Sequence, residues 1–302
     1  MVPFPLDSAT NPKLTKTQGT AGVALHDGLL GPDSVAWRVL DHPAALIGGL
    51  RALIVQSLHP LAMAGVAQHS DYKRRPLERL RRTAYYVGAT AMGDRATALA
   101  AVERVKKVHK RVRGIDPVTG RKYSAEDPET QVWVHTVEWH SFLVAYDVFG
   151  QRLSADERDR YMSEGVGIAA LLGTPESMVP ASTAEVRDYF DRVESQLCVS
   201  ADAREAIDFV VNPPVSRELL PYWPGFRLLG QAAVAIVPRP LRRLAGIDRP
   251  RAVDLAAIAA VRPLVAASRL PPLRALYGAA LGSEVRAVHL RGREVKRQPA
   301  AV

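Results

Sequence analysis

The sequence has a single cysteine, Cys198, among its 302 residues. This scarcity excludes an intramolecular disulfide, a cysteine-based zinc site and an iron–sulfur cluster, because each of these needs several cysteines. Covalent attachment of haem is excluded too, because its Cys-x-x-Cys-His motif requires two cysteines. Metal chemistry in this chain therefore depends on histidines, carboxylates or a cofactor held without covalent bonds.

Several enzyme motifs are also absent. The sequence has no P-loop, no Gly-x-Gly-x-x-Gly following a strand and no Gly-x-Ser-x-Gly nucleophile elbow. It has no His-Glu-x-x-His zinc motif, and the histidine-bearing helices lack the Glu-x-x-His pairs of a di-iron bundle. These absences argue against nucleotide-dependent enzymes, serine hydrolases, zincins and di-iron oxygenases.

Long uninterrupted hydrophobic runs are scarce. Residues 44–68 are mostly apolar, but Arg51 lies among them and His59-Pro60 interrupts any helix near the middle. Each half is shorter than the roughly 20 residues that span a bilayer, so we expect two buried core helices and no transmembrane span. Residues 1–22 lack the apolar core of a secretory signal, and we expect a cytoplasmic protein.

Acidic residues are outnumbered by basic ones, which gives a formal net charge of +9. A positive charge suits an acidic partner. However, the sequence has no nucleic-acid-binding motif and no basic segment interleaved with aromatic residues, so we expect no nucleic acid partner. Peripheral contact with an anionic membrane is one alternative, because Arg239, Arg242 and Arg243 follow the apolar residues 228–237.

Helical periodicity and helix caps dominate the sequence, whereas convincing strand alternation is absent. We therefore expect an all-α fold, with a flexible arm at 1–27, one large helical domain at 28–288 and a basic tail at 289–302 that is disordered from Arg291. A proline-rich connector at 212–224 precedes shorter helices. Prolines and capping residues predict the earlier helices at 33–40, 43–58, 60–68, 76–92, 128–149, 154–172 and 182–196.

His109 lies on an apolar helical stripe inside a cationic segment. The stripe consists of residues spaced three or four apart: Leu99, Val102, Val105, His109 and Val112. Gly114 is the predicted C-cap of this helix. An imidazole on a buried stripe needs a partner, because an unsatisfied buried polar group costs roughly 1–3 kcal/mol. A metal centre or a buried carbonyl would serve, and a non-covalent haem with one axial histidine agrees with every exclusion above.

Two other helices carry candidate polar groups. Arg79, Arg82, Thr83 and Tyr86 fall within one helical sector less than about 100° wide. This sector is either a solvated face or a polar face that borders the core. His135 has helical spacing with its apolar neighbours and is predicted to point inward.

Several short motifs in fixed order resemble the MpaB-type oxygenase family, which includes the latex clearing protein, a rubber oxygenase. The resemblance covers residues 28–150 well and continues weakly over 228–246. The motifs are Gly31-Pro32-Asp33-Ser34, Leu58-His59-Pro60, His69-Ser70-Asp71, the residues from Pro76 to Thr83, those from Val108 to Gly114, and Trp133-Val134-His135.

The resemblance implies an all-α fold around haem b, with His109 as the axial ligand of the iron and Arg79 and Thr83 near the haem. Arg82 replaces a lysine that can occupy the distal iron position in the rubber oxygenases. An arginine has no lone pair for a metal, so Arg82 is expected to act as a distal cation. His135 is either a cofactor-binding residue beside the haem or a hydrogen-bonded core residue.

We therefore expect a haem-dependent oxygenase that acts with O2 on a small apolar substrate, either isoprenoid-like or aromatic. Arg79, Arg82 and Thr83 are the predicted catalytic residues, which stabilise charge on oxygen or hold the haem propionates. The alternatives are a haem-binding or small-ligand-binding protein without turnover, and the membrane-associated helical protein described above. His59 is expected to brace the helix break before Pro60.

Overall fold

Helices account for most of the computed structural model, which describes residues 28–215, 217 and 220–297. This confirms the predicted all-α fold. The predicted arm at 1–27 lies outside the described residues, and the division of the chain into arm, domain and tail stays a prediction.

The first eight helices follow the predicted order. Seven of them match the ranges predicted above. The remaining helix, α5, ends at His109. They are α1 (Val35–Leu40), α2 (Ala45–Gln56), α3 (Pro60–His69), α4 (Pro76–Met92), α5 (Arg95–His109), α6 (Pro128–Phe149), α7 (Ala155–Leu171) and α8 (Thr183–Val193).

Local capping chemistry explains where these helices begin. Pro76 and Pro128 each occupy the first turn of a helix, where the missing N–H group has no helical partner to lose. Ser154 forms the complete capping box with Glu157. At α8 only half of the box forms: Ser182 accepts from the Glu185 N–H, whereas the Glu185 carboxylate accepts from Ala181 N at 2.9 Å.

Six further helices follow in the C-terminal half of the described chain. The proline-rich connector separates the first two. They are α9 (Ala201–Val211), α10 (Trp223–Ala235), α11 (Arg239–Ala245), α12 (Arg251–Ala267), α13 (Pro271–Leu281) and α14 (Ser283–Arg297). α10 packs against α2, α9 and α12, so the C-terminal helices pack on the first set as expected.

The prediction for Gly114 is wrong. α5 ends at His109, and Gly114 lies in strand β1 (Arg113–Ile115), which pairs antiparallel with β2 (Lys122–Ser124). This strand pair was not predicted, because each strand is too short for an alternating pattern to be visible. A Cβ at Gly114 would lie 2.7 Å from the Tyr123 hydroxyl oxygen, so the glycine is required by close packing and not by helix termination.

The prediction of disorder from Arg291 is also wrong for residues 291–297, which continue α14. Two polar contacts attach this helix to the end of α1. His289 Nδ1 lies 2.9 Å and an Arg293 guanidinium nitrogen 3.0 Å from the Asp41 carboxylate. The remaining residues, 298–302, lie outside the described part of the chain.

α2 and α3 are separated by the predicted break and bend by 107°. His59 caps α3, because its Nδ1 accepts a hydrogen bond from Ala62 N at 3.5 Å, which confirms its bracing role. Among the described residues, no single helix has the length and apolar character needed to cross a bilayer. Ile47, Ile54 and Leu58 are instead fully buried in the protein core.

α6 is the central helix of the fold. α2 packs closely along one side of it, because Gly48 has no side chain: a Cβ there would lie 2.9 Å from Phe142 Cα. α7 packs on another side, where Gly165 leaves room for the Trp139 indole. Trp139 Nε1 donates to Tyr161 O at 2.8 Å and the Tyr161 hydroxyl donates to Trp139 O at 3.0 Å.

We expect Gly48→Ala to lower the free energy of unfolding by about 1–3 kcal/mol, because the new methyl group would overlap backbone that cannot move independently of α6. Gly49→Ala is the matched control. Its Cβ would meet only a Phe142 ring carbon at 3.8 Å, an ordinary contact. It should be neutral or stabilising by about 0.5–1 kcal/mol, since alanine favours helix. Denaturant unfolding of both variants tests the assignment, and equal effects would contradict it.

Candidate functional site

The candidate site residues lie on the α4–α5 pair and on α6. α4 and α5 are joined by Gly93 and Asp94 and pack on each other, and α4 also packs on α14, α1 and α13. α1 contacts both α4 and α6, but α6 is not among the main neighbours of α4 or α5 in the described chain. We call the region between the α4–α5 pair and α6 the wedge.

Glu138 and Tyr86 define the middle of the wedge. Glu138 lies halfway along α6, and burial raises the pKa of its carboxyl to about 7. The pKa of Tyr86 on α4 is raised by burial and by the nearby Glu138 carboxylate. Both side chains keep some accessible surface, and neither has a hydrogen bond or ion pair with another described residue. Polar groups that are desolvated, accessible and unpaired are typical of the wall of an internal recess.

An apolar face of α2 lies next to Phe142 of α6. Leu46, Gly49 and Leu53 share one side of the helix and keep accessible surface, although the opposite side of α2 is buried in the core. Gly49 lies next to the Phe142 ring, close to Glu138 in sequence on α6. The recess therefore combines an apolar wall with few polar groups, as small-molecule sites do.

His109 is the last residue of α5. Its ring is half-buried, and Nδ1 is fully buried without a hydrogen-bond partner. The sequence analysis gave two possible partners for this imidazole, a metal centre and a buried carbonyl. No carbonyl of the described residues accepts a hydrogen bond from Nδ1. Burial lowers the pKa of His109, so the ring is neutral at neutral pH and keeps a lone pair that can ligate a metal.

Arg79 lies near the start of α4, at the end of the α4–α5 pair that also carries His109. Its guanidinium lies 5.6 Å from the centre of the Tyr72 ring, a cation–π distance. Burial lowers the pKa of Arg79, and the side chain has no ion pair or hydrogen bond with another described residue. An unpaired, half-buried cation is suited to bind an anionic group of a ligand.

Arg82 and Thr83 have different surroundings from Arg79. The Arg82 side chain is 60% exposed, and a guanidinium nitrogen lies 3.8 Å from Glu78 Oε1. Thr83 is exposed as well. The structure therefore does not gather the three residues around one point, and their catalytic role stays a prediction.

His135 is fixed between α6 and α7. Its ring stacks on Trp139 with 5.4 Å between ring centres and forms a hydrogen bond with the Gly165 backbone. Burial lowers the pKa of His135 to about 4, so the ring is neutral. These contacts favour the hydrogen-bonded core alternative. Its role in cofactor binding stays a prediction.

The β1–β2 pair attaches the His109 end of α5 to α3. The Tyr123 hydroxyl donates to Gln68 Oε1 at 2.7 Å and lies 3.1 Å from His69 Nε2. The chain reaches β1 only a few residues after His109, so this network limits how far the His109 end of α5 can move.

The sequence did not predict Glu138 as a site residue. It predicted that Tyr86 shares a helical sector with Arg79, but it assigned no role to Tyr86. One signal was available for Glu138: a lone carboxylate between Val137 and Trp139 in a helix that is apolar on most sides. In the described chain, no group of three or more histidine, cysteine, aspartate or glutamate residues is arranged to hold a metal ion. Haem iron needs only one such ligand from the protein.

A family model described as "ER-bound oxygenase mpaB/B'/Rubber oxygenase, catalytic domain" matches residues 37–269. This match covers most of the chain and confirms the resemblance drawn from the short motifs. No curated protein and no solved structure gives a significant match.

Glu138→Gln should change how stability depends on pH. The folded protein holds the Glu138 proton up to about pH 7, whereas an ordinary glutamate loses it near 4.5, so the wild type loses stability as pH rises through this window. We expect the free energy of unfolding of the variant, relative to wild type, to rise by about 1–3 kcal/mol between about pH 5 and about pH 8.

Denaturant unfolding across this pH range measures the difference. Glu194→Gln is the matched control, because Glu194 is an exposed carboxylate in a short 3₁₀ turn. A difference that stays flat with pH for Glu138→Gln would mean that this carboxyl is solvated and does not line a recess.

Proposed function

This chain belongs to the mpaB/B' and rubber oxygenase family, and on that premise we propose that it is a haem-dependent oxygenase that acts with O2 on a small apolar substrate. The observation that carries the proposal is His109: a neutral imidazole, half-buried at the end of a helix, whose Nδ1 has no hydrogen-bond partner in the described chain.

The residues around the wedge fit a haem. His109 would bind the haem iron, and Arg79 would pair with a propionate, since its guanidinium has no carboxylate partner of its own among the described residues. The apolar face of α2 formed by Leu46, Gly49 and Leu53 offers a surface for the macrocycle or for the substrate. Haem, when bound, supplies the activation of O2 that the side chains cannot perform.

The chain's own residues would control protons and water. Glu138 has a pKa of about 7 and can therefore hold or release a proton near neutral pH. The Tyr86 hydroxyl stays protonated there, because its pKa is raised, and can donate a hydrogen bond. Arg82 and Thr83 face solvent and would need to reorient before they contact a ligand in the wedge.

The substrate class follows from the same surroundings. The accessible apolar face of α2 and the Phe142 ring favour a ligand with little polarity, and we propose an isoprenoid-like or aromatic molecule. Location in the cytoplasm stays part of the proposal.

His109→Ala should abolish or shift the Soret band of the haem-loaded protein and weaken haem binding at least about tenfold. Titration of haem followed by visible absorption measures both. His42→Ala is the matched control, because His42 is also half-buried and burial lowers its pKa to about 4. The control should keep the wild-type spectrum, and an unchanged spectrum of His109→Ala would contradict the axial role.

Oxygen uptake separates an oxygenase from a haem-binding protein without turnover. Pre-reduced, haem-loaded protein is mixed with O2 and squalene, an isoprenoid alkene, and uptake is compared with and without the alkene. Alkene-dependent uptake that His109→Ala removes supports the oxygenase. If the protein binds haem but uptake is absent with squalene and with aromatic substrates, the non-catalytic alternative is correct.

Arg79→Gln should weaken haem binding about 10- to 100-fold, because it removes a charge-assisted hydrogen bond from a partly buried site. Arg75→Gln is the matched control: Arg75 lies one turn earlier, is 65% exposed and pairs with Glu78 at 3.4 Å. Its loss should change haem affinity less than about fivefold. Equal effects of the two variants would show that only the overall charge matters.

A further inference from the structure

A second concavity, of about 450 Å³, lies between α10, α11 and α12. Its polar lining consists of Arg239, Arg242, Arg249, Arg251 and Asp254. Ala235, Leu255 and Ile258 form an apolar wall. None of the candidate residues of the wedge takes part, so this arginine pocket is a separate feature of the molecule.

The arginine pocket has more positive than negative charge. Asp254 is compensated by Arg242 and Arg249, which both bind its carboxylate. Asp248 is shared by two exposed arginines, Arg239 at 3.2 Å and Arg243 at 3.5 Å. Arg251 has no ion pair with another described residue.

Four arginines therefore bind two carboxylates, and Arg251 adds a fifth cation to the pocket. Two of them are sufficient to neutralise the aspartates, and the others add mutual repulsion unless an anion is present.

Arg242, which lines this pocket, has a buried donor without a partner. The residue is 7% exposed, and its Nε is buried without a hydrogen-bond partner, although its other nitrogens face Asp254 and Asp248. A buried guanidinium N–H without a partner is rare in proteins.

The start of α12 adds further unused donors. α12 begins at Arg251 in the same pocket, and its N-cap residue, Pro250, provides no side-chain cap. Val253 N donates to Pro250 O at 3.0 Å, whereas the N–H groups of Arg251 and Ala252 precede the first backbone hydrogen bond of this 17-residue helix.

We propose that the arginine pocket binds a phosphate group carried by an apolar molecule. Arginine forks match the geometry of phosphate oxygens, and the excess positive charge matches a dianion. The apolar wall is accessible from outside, since Leu255 is 56% exposed on α12. The phosphate would lie among the arginines and the attached hydrocarbon along Leu255 and Ile258.

A phosphate group attached to an apolar molecule has two sources: the headgroup of an anionic phospholipid in a bilayer, or a soluble phosphate ester. Two measurements on the full chain distinguish them. Thermal unfolding is followed with inorganic phosphate and with dioctanoyl phosphatidic acid, against sodium chloride of equal ionic strength. Sedimentation is measured with phosphatidylcholine vesicles with and without phosphatidic acid.

The test variant is Arg239→Gln/Arg251→Gln, which changes two exposed residues and leaves the buried Arg242–Asp254 pair intact. The control is Arg187→Gln/Arg291→Gln, which removes the same charge at side chains 72% and 74% exposed on other helices. We expect wild type and control to be stabilised by the phosphate compounds, and the test variant to bind them at least tenfold more weakly.

Binding to the soluble compounds alone identifies a soluble phosphate ester, and binding that extends to the anionic vesicles identifies a lipid headgroup. Both outcomes support the pocket. Wild-type protein that responds to none of these probes overturns the proposal. Equal losses in test and control variants overturn it too, because they would show that binding depends only on total charge.

Discussion

The close approach of α2 to α6 is the constraint on which the rest of the structure depends. Gly48 allows the backbone of α2 to contact the backbone of α6 at Phe142, and no larger residue fits there without moving one helix. On another side, Gly165 holds α7 against Trp139 in the same way. α6 is therefore fixed from two directions, and so is the direction in which Glu138 and His135 leave it.

Burial alone does not distinguish structural polar residues from those of the candidate site. Arg51 is fully buried in α2, and burial lowers its pKa to about 10, but it donates to Ser141 Oγ at 2.5 Å and to Ile236 O at 3.0 Å. Its hydrogen bonds explain its presence in the core. Glu138 and His109 have no such partners in the described chain. Proteins keep unsatisfied polar groups mainly where function requires them, because each one lowers stability.

The two mistaken predictions have the same physical origin. Gly114 was assigned to a helix end because a glycine after an apolar stripe is a common local signal. In the structure, a glycine is needed at position 114 because the Tyr123 hydroxyl, nine positions later, leaves no room for a side chain there. Likewise, the basic composition after Arg291 suggested disorder, but Arg293 and His289 bind Asp41, which lies far away in sequence. Both depend on contacts between distant segments.

Local signals in the amino-acid sequence are sufficient to predict the helices and the family. Prolines at helix starts, serine caps and apolar spacing act within a few residues, and the motifs around Arg79 and His109 are read in chain order. Which polar groups lack partners depends instead on the packing of helices that are far apart in sequence. This packing separated the half-buried Arg79 from the exposed Arg82, placed Glu138 near Tyr86 and brought four arginines around Asp248 and Asp254. These results depend on how distant helices pack, and that packing sets the desolvation and the charge around each side chain.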